Sequence, residues 1–117
     1  TTGDLVRALN SPLGRTALRP LMKSIPMRDK NYRQLSGHPL DVVAKTGTLN
    51  FVSTLAGYAN MEDGTDLAFA ILTADVPKRD ALTEGQRERP PGGRTWNRKS
   101  RLLQQAFLQR WSLLHAT

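Results

Sequence analysis

Between Asp41 and Ala74 the chain carries three runs of strand-forming residues whose connections are too short for anything but reversals. The first, residues 41–49, places Val42, Val43 and Ala44 ahead of Lys45-Thr46-Gly47-Thr48. The second, residues 51–59, has a period of two, with Phe51, Leu55 and Ala59 on one face and Val52, Thr54, Ala56 and Tyr58 on the other. Glu62-Asp63-Gly64-Thr65 then predicts a tight reversal, because Asp-Gly accepts the positive φ angles of hairpin turns. The third, residues 67–74, is almost wholly apolar, which predicts a strand covered on both faces. The expected centre is therefore an antiparallel meander of about three strands over residues 41–74.

Helical patterns flank it. Thr1 and Asp4 form a capping pattern ahead of Leu5, Val6, Ala8 and Leu9, and Ser11-Pro12 reads as a second helix start with proline at its first position. Leu13, Ala17, Leu21 and Ile25 continue the apolar spacing, so residues 1–26 are expected to be helical, divided at Pro20 and ended by Pro26. Residues 27–39 are polar and carry turn signals in Asp29-Lys30-Asn31 and Ser36-Gly37-His38-Pro39. Residues 75–95 read as a charged excursion containing Glu88-Arg89-Pro90-Pro91-Gly92-Gly93. Over residues 96–115, Leu103, Phe107, Arg110, Trp111 and Leu114, widened by Leu102 and Ala106, recur at helical spacing and predict a helix packed on the meander. The fold class expected is α+β.

Composition narrows the chemistry. No stretch approaches the roughly 18 consecutive apolar residues of a membrane span. The sequence has no cysteine, which excludes disulfides and thiol catalysis, and its two histidines, His38 and His115, stand in no metal-ligand spacing. The chain opens Thr1-Thr2-Gly3 with no methionine or signal-peptide pattern, so a part upstream of it is expected. A net charge of +7 raises nucleic-acid binding as one reading. Between Lys78 and Arg110 there are nine Lys/Arg against Asp80, Glu84 and Glu88, yet no RNP aromatics, GXXG loop, zinc finger or basic zipper accompanies them. A solvated basic face accounts for that excess.

Lys45-Thr46-Gly47-Thr48 is the stretch that carries chemistry. A lysine in a buried strand needs an anionic partner or ligand. A mid-strand glycine weakens a strand unless another backbone or a ligand must approach closely. With two hydroxyls flanking the glycine, the combination suits a strand edge that binds a carboxylate and pairs with an extended substrate. The alternative is a bulged edge strand with a snorkelling lysine.

The wider run, 43–49 (Val-Ala-Lys-Thr-Gly-Thr-Leu), Val52, Leu55-Ala56-Gly57-Tyr58, Asp63-Gly64 and 67–71 (Leu-Ala-Phe-Ala-Ile), resembles the C-terminal portion of D-alanyl-D-alanine carboxypeptidases of the peptidase S13 type, the class C low-molecular-mass penicillin-binding proteins. The Asp41-Val42-Val43 lead-in and the closing helix agree with this. The resemblance is specific over residues 41–76 and weak before residue 37. It implies part of the serine β-lactamase/penicillin-binding transpeptidase-like fold and a periplasmic setting, with peptidoglycan stem peptides and β-lactams as partners. It implies no cofactor, no metal and no nucleic acid. By resemblance, Lys45 supports the electrostatics and proton network around the nucleophile. Thr46 and Thr48 hold the substrate's terminal carboxylate, Gly47 leaves room for the acyl group, and the backbone N–H of Thr48 is one of two oxyanion donors.

Such enzymes also need Ser-x-x-Lys for the nucleophile and Ser-x-Asn on the opposite wall. None of Ser11, Ser24, Ser36, Ser53, Ser100 and Ser112 has Lys three residues on or Asn two residues on. The expectation is an enzyme fragment, inactive alone, whose exposed apolar edge is covered by an N-terminal part of the same protein or by a second copy. A non-catalytic peptidoglycan- or partner-binding module is the alternative, and a basic nucleic-acid-binding domain the third.

Overall fold

The computed structural model describes residues 1–83 and 92–115. The proline-bearing part of the excursion, with Glu84 and Glu88, lies outside the described residues, as does the side chain of His115. The elements are helix α1 (Thr2–Asn10), a π-helical turn (Gly14–Leu18), a 3-10 turn (Arg19–Leu21), strands β1 (Lys23–Ser24), β2 (Asp41–Leu49), β3 (Val52–Asn60) and β4 (Asp66–Ala74), and helices α2 (Val76–Asp80) and α3 (Gly93–His115). The strands form one antiparallel sheet in the order β1-β2-β3-β4. The α+β expectation stands, with one strand more than the meander supplied.

That extra strand corrects the helical expectation for residues 22–26. The helix starts as its caps predict: Thr1 and Asp4 form the capping box, and the Ser11 hydroxyl accepts from the N–H of Gly14 at 3.0 Å. At Pro20 the coil tightens into the 3-10 turn and stops. Lys23 then pairs with Ala44 and Ser24 with Val43, and the Ile25 N–H donates to the Val42 carbonyl at 2.9 Å. Ile25 thus lies along a strand edge, outside the helical stripe.

The meander follows its pattern closely. β2 and β3 pair one-to-one over nine residues, and so do β3 and β4. At the β3–β4 connection only Gly64 takes a positive φ (+91°), and Asp63 caps the turn by accepting from the Thr65 N–H. Between β2 and β3 the turn uses Phe51 at φ +55°, a costly conformation for a bulky residue. Phe51 is buried edge-on against Trp96, and its carbonyl accepts from the Asp75 N–H. Residues 76–80, expected as loop, form α2, because Asp75 caps the Lys78 N–H and Pro77 occupies the first turn.

The two faces of the sheet are covered differently. On one, Val42, Ala44, Leu55, Ala59 and Phe69 build a core with Met27, Leu40, Met61 and Leu108 of α3. On the other, Tyr58 is fully buried, and its hydroxyl donates to the Leu9 carbonyl at the end of α1. Arg15 and Arg19 lie 5.2 and 5.0 Å over the Tyr58 ring and both bind the carboxylate of Asp66 at the start of β4. That carboxylate raises the pKa of Arg19 further above its ordinary value. This clamp fixes the path by which the chain reaches β1.

Two expectations about burial fail. β4 is not covered on both faces: Leu72 is 54% exposed, because β4 is the outer strand of the sheet. The face of α3 that turns inward is also not the apolar stripe. Leu103, Phe107 and Leu114 are exposed, whereas Ser100, Gln104, Gln105 and Leu108 are buried. Gln104 donates to the Ser53 carbonyl and hydroxyl and to the Thr73 hydroxyl, which the Ser100 hydroxyl also contacts.

A Cβ added at Gly57 would lie 2.2 Å from the Val43 carbonyl oxygen and 2.6 Å from the Ala44 Cα, so Gly57→Ala forces β2 and β3 apart. A loss of about 3 kcal/mol in urea unfolding is expected; an unchanged midpoint contradicts the close approach. Asp4, held below its ordinary carboxyl pKa of 3.8 by the Thr1 hydroxyl and then Arg7, supplies the second prediction. Because the folded value is the lower one, its contribution is present above 3.8 and is lost as pH falls through the folded value. Amide protection in the first turn of α1 should fade over that acid range while β3 stays protected.

Candidate functional site

β2 runs nine residues beside β3, but β1 accompanies it for two. Backbone N–H and C=O groups alternate between the two sides of a strand. The Ile25 bond to Val42 fixes the phase: Val42, Ala44, Thr46 and Thr48 direct their backbone groups toward β1. Asp41, Val43, Lys45, Gly47 and Leu49 direct theirs toward β3. The 3-10 turn ends β1 at Lys23, opposite Ala44. Beyond that point Thr46 and Thr48 present their backbone to an edge that no described strand occupies.

The four residues singled out in the sequence are thus brought to one place. Lys45, Thr46 and Thr48 are exposed and Gly47 is half-buried, which corrects the expectation of a buried lysine. The strand leaves the core after Ala44, so burial does not compel an anionic partner. The Lys45 ammonium instead donates to the Thr46 carbonyl at 2.8 Å, covering one acceptor of the open edge. Lys45 forms no ion pair among the described residues. Gly47 has its own steric reason: a Cβ there would meet the Thr54 hydroxyl at 2.5 Å, and that hydroxyl donates to the Gly47 carbonyl at 3.3 Å.

The open edge is flanked by two hollows, one almost wholly apolar and one of mixed chemistry. On the α1 side lies an apolar groove of about 500 Å³, whose walls include Leu5, Leu18, Met22, Ala56 and Leu72 as well as Lys45 and Gly47. On the α3 side lies a smaller cavity of about 210 Å³, where Thr46 and Ser53 meet Arg28, Tyr32, Arg101 and Gln104. Sequence reasoning missed β1 and the second cavity. Arg101 is distant in sequence from Arg28 and Tyr32 and meets them because Gln105 of α3 accepts from the Arg28 N–H at 2.8 Å and donates to the Pro26 carbonyl. Among the described residues no group of His, Cys, Asp and Glu is arranged to hold a metal.

The alternation has a direct test in amide hydrogen exchange. The Thr46 and Thr48 amides should exchange at least about tenfold faster than those of Lys45 and Gly47, which are bonded within the sheet. Equal protection at all four positions would show that the edge is closed.

With this geometry in hand, the chain was compared with known proteins. The family model of D-Ala-D-Ala carboxypeptidase 3 (S13) matches residues 27–89. That range takes in the segment after β1, all of β2, β3 and β4, and α2. It begins ten residues before the point where the sequence resemblance weakens. Searches of curated proteins and of solved structures give no match. No described helix is long and apolar enough to cross a membrane. The matched residues are more than half of the 117, and the chain belongs to the D-Ala-D-Ala carboxypeptidase 3 (S13) family.

Proposed function

We propose that this chain supplies the substrate-holding strand of a serine-type D-Ala-D-Ala carboxypeptidase or endopeptidase that acts on peptidoglycan stem peptides in the periplasm. The observation that carries this reading is the open edge at Thr46 and Thr48, lying inside the segment that matches a peptidase family. An extended peptide adds to such an edge as a further strand, with main-chain hydrogen bonds supplying affinity. The Thr48 N–H, directed to that edge, would donate to a carbonyl oxygen as negative charge develops on it, and loss of one such donor typically costs about 10²–10³-fold in rate. The Thr46 and Thr48 hydroxyls are the carboxylate ligands. The Lys45 ammonium supplies positive charge beside them and gives up its bond to the Thr46 carbonyl when substrate pairs there.

The nucleophile belongs to polypeptide outside these 117 residues, which contain neither Ser-x-x-Lys nor Ser-x-Asn. Together the two parts make up the penicillin-binding transpeptidase-like fold. The outer edge of β4, where Leu72, Leu103 and Phe107 are exposed, is the surface the rest of that fold covers.

Exposure to a fluorescent penicillin tests this. The 117-residue chain should acquire no covalent label, and a protein joining it to a family segment that carries Ser-x-x-Lys and Ser-x-Asn should acquire one. In the joined protein Lys45→Ala should slow labelling by about 10²-fold or more. A label on the isolated chain sinks the assignment of the nucleophile. A folded joined protein that takes no label favours a non-catalytic binding module.

A further inference from the structure

The cavity on the α3 side of the open edge holds a cluster of cations that the proposed chemistry does not use. Three guanidinium groups converge on Tyr32. Arg28 stacks 4.4 Å from the ring centroid and donates to the Tyr32 carbonyl at 3.0 Å. Arg98 lies 5.4 Å over the same ring, and Arg101 donates to the phenol oxygen at 3.3 Å. None of the ion pairs among the described residues involves Arg28, Arg98 or Arg101, so no described carboxylate neutralises any of the three. Asp29, next to Arg28 in the chain, instead accepts from the N–H groups of Asn31 and Arg33.

Attraction to a ring face is worth only about 0.5–1 kcal/mol per exposed cation. It does not replace a counter-ion for Arg28 and Arg101, which are half-buried residues. The cluster is also held in place at a cost. Tyr32 sits at φ +66°, a left-handed conformation that disfavours a bulky side chain by about 1–2 kcal/mol. The pairing of Arg28 with Gln34 and the Tyr32 N–H bond to the Asp29 carbonyl keep it there. Strained residues of this kind recur at ligand clamps. Arg28 and Arg101 line the cavity together with Thr46 of the open edge.

At about 210 Å³ the cavity is smaller than the roughly 300–1,000 Å³ that takes a whole small ligand. It suits one side chain. A peptide paired with residues 46–48 would turn alternate side chains to opposite faces of the sheet, so some of them face α3 and this cavity. We infer that the cavity receives a carboxylate carried on a side chain of the peptide bound along β2, held by the planar guanidinium groups of Arg101 and Arg28. The inference rests on the reading of the open edge as the substrate strand.

Titration of the isotopically labelled chain, followed by amide NMR shifts, tests it with two peptides, acetyl-Glu-D-Ala-D-Ala and acetyl-Gln-D-Ala-D-Ala. The Glu peptide should bind at least about tenfold more tightly. Arg101→Gln should abolish that preference, leaving the affinity for the Gln peptide and the Thr46 and Thr48 shifts unchanged, and Arg101→Lys should restore part of it. Should Arg101→Gln disturb folding, the Glu and Gln peptides compared on the unsubstituted chain still decide the question. If both peptides shift Thr46 and Thr48 with equal affinity, the carboxylate site is overturned and the substrate strand stands. If neither shifts them, the substrate strand fails and this inference with it. Inorganic phosphate that binds the cavity more tightly than the Glu peptide overturns the assignment to a carboxylate.

Discussion

β2 lies opposite nine residues of a neighbouring strand on one side and two on the other, and the site follows from that mismatch. Unpaired backbone groups are expensive when buried, at about 1–3 kcal/mol each, and cheap when water reaches them. The chain respects this difference. Where Val42 and Ala44 are buried, Ile25 and Lys23 pair with them; where the strand becomes exposed at Lys45, the pairing stops. An exposed edge is also an invitation to unwanted strand pairing, and a lysine is one common defence against it. Lys45 fills that role through its bond to the Thr46 carbonyl, which an incoming strand must displace. On the proposed reading, protection of the edge and recognition at it therefore rest on one side chain.

The stopping point of β1 is itself set at a distance. Tyr58, with no exposed surface, ties its hydroxyl to the end of α1 and its ring to Arg15 and Arg19, which in turn bind Asp66. This polar assembly anchors the π-helical and 3-10 turns to β3 and β4, so the chain enters β1 at one register. The opposite face is organised in a similar way. Gln104 and Ser100 bond to Ser53 and Thr73, while Gln105 holds the backbone on both sides of Met27. Hydrogen bonds specify position more sharply than apolar contact does, and a buried network rigidifies what it joins when its members are satisfied.

The same preference for polar anchoring decided what could be read in the sequence. β2, β3 and β4 were legible because the period of two and Asp63-Gly64 are local signals, as is the Thr1–Asp4 cap of α1. The strand β1 was not, since two residues beside Pro20 carry no pattern of their own and become a strand only through Ala44 and Val43. The orientation of α3 was misread because amphipathicity identifies an apolar face, whereas this helix buries Ser100, Gln104 and Gln105. The Lys45-Thr46-Gly47-Thr48 site was legible as a motif, but its exposure depends on where β1 ends. The gathering of Arg98 and Arg101 on Tyr32 had no local signature at all, being made across about seventy residues of chain.

Two contrasting hollows beside one open edge give the site a logic beyond its motif. On the proposed reading, main-chain pairing of a peptide with Thr46 and Thr48 would be indifferent to side chains, supplying affinity without selecting a sequence. Selection has to come from what lies to either side of the added strand. Here one side is lined by Leu5, Leu18, Met22 and Leu72, and the other by Arg28, Arg101 and Gln104. A peptide bound as proposed would alternate its side chains between them with the same period of two that builds the sheet. A one-residue slip would exchange its polar and apolar groups between the hollows, placing a carboxylate against leucines and an apolar chain among guanidinium groups. Register would then be chosen by the penalty for the wrong placement as much as by the gain from the right one. The strained turn at Tyr32 and the glutamine anchors of α3 fit this logic, because a hollow can reject a misplaced group only if its walls do not move.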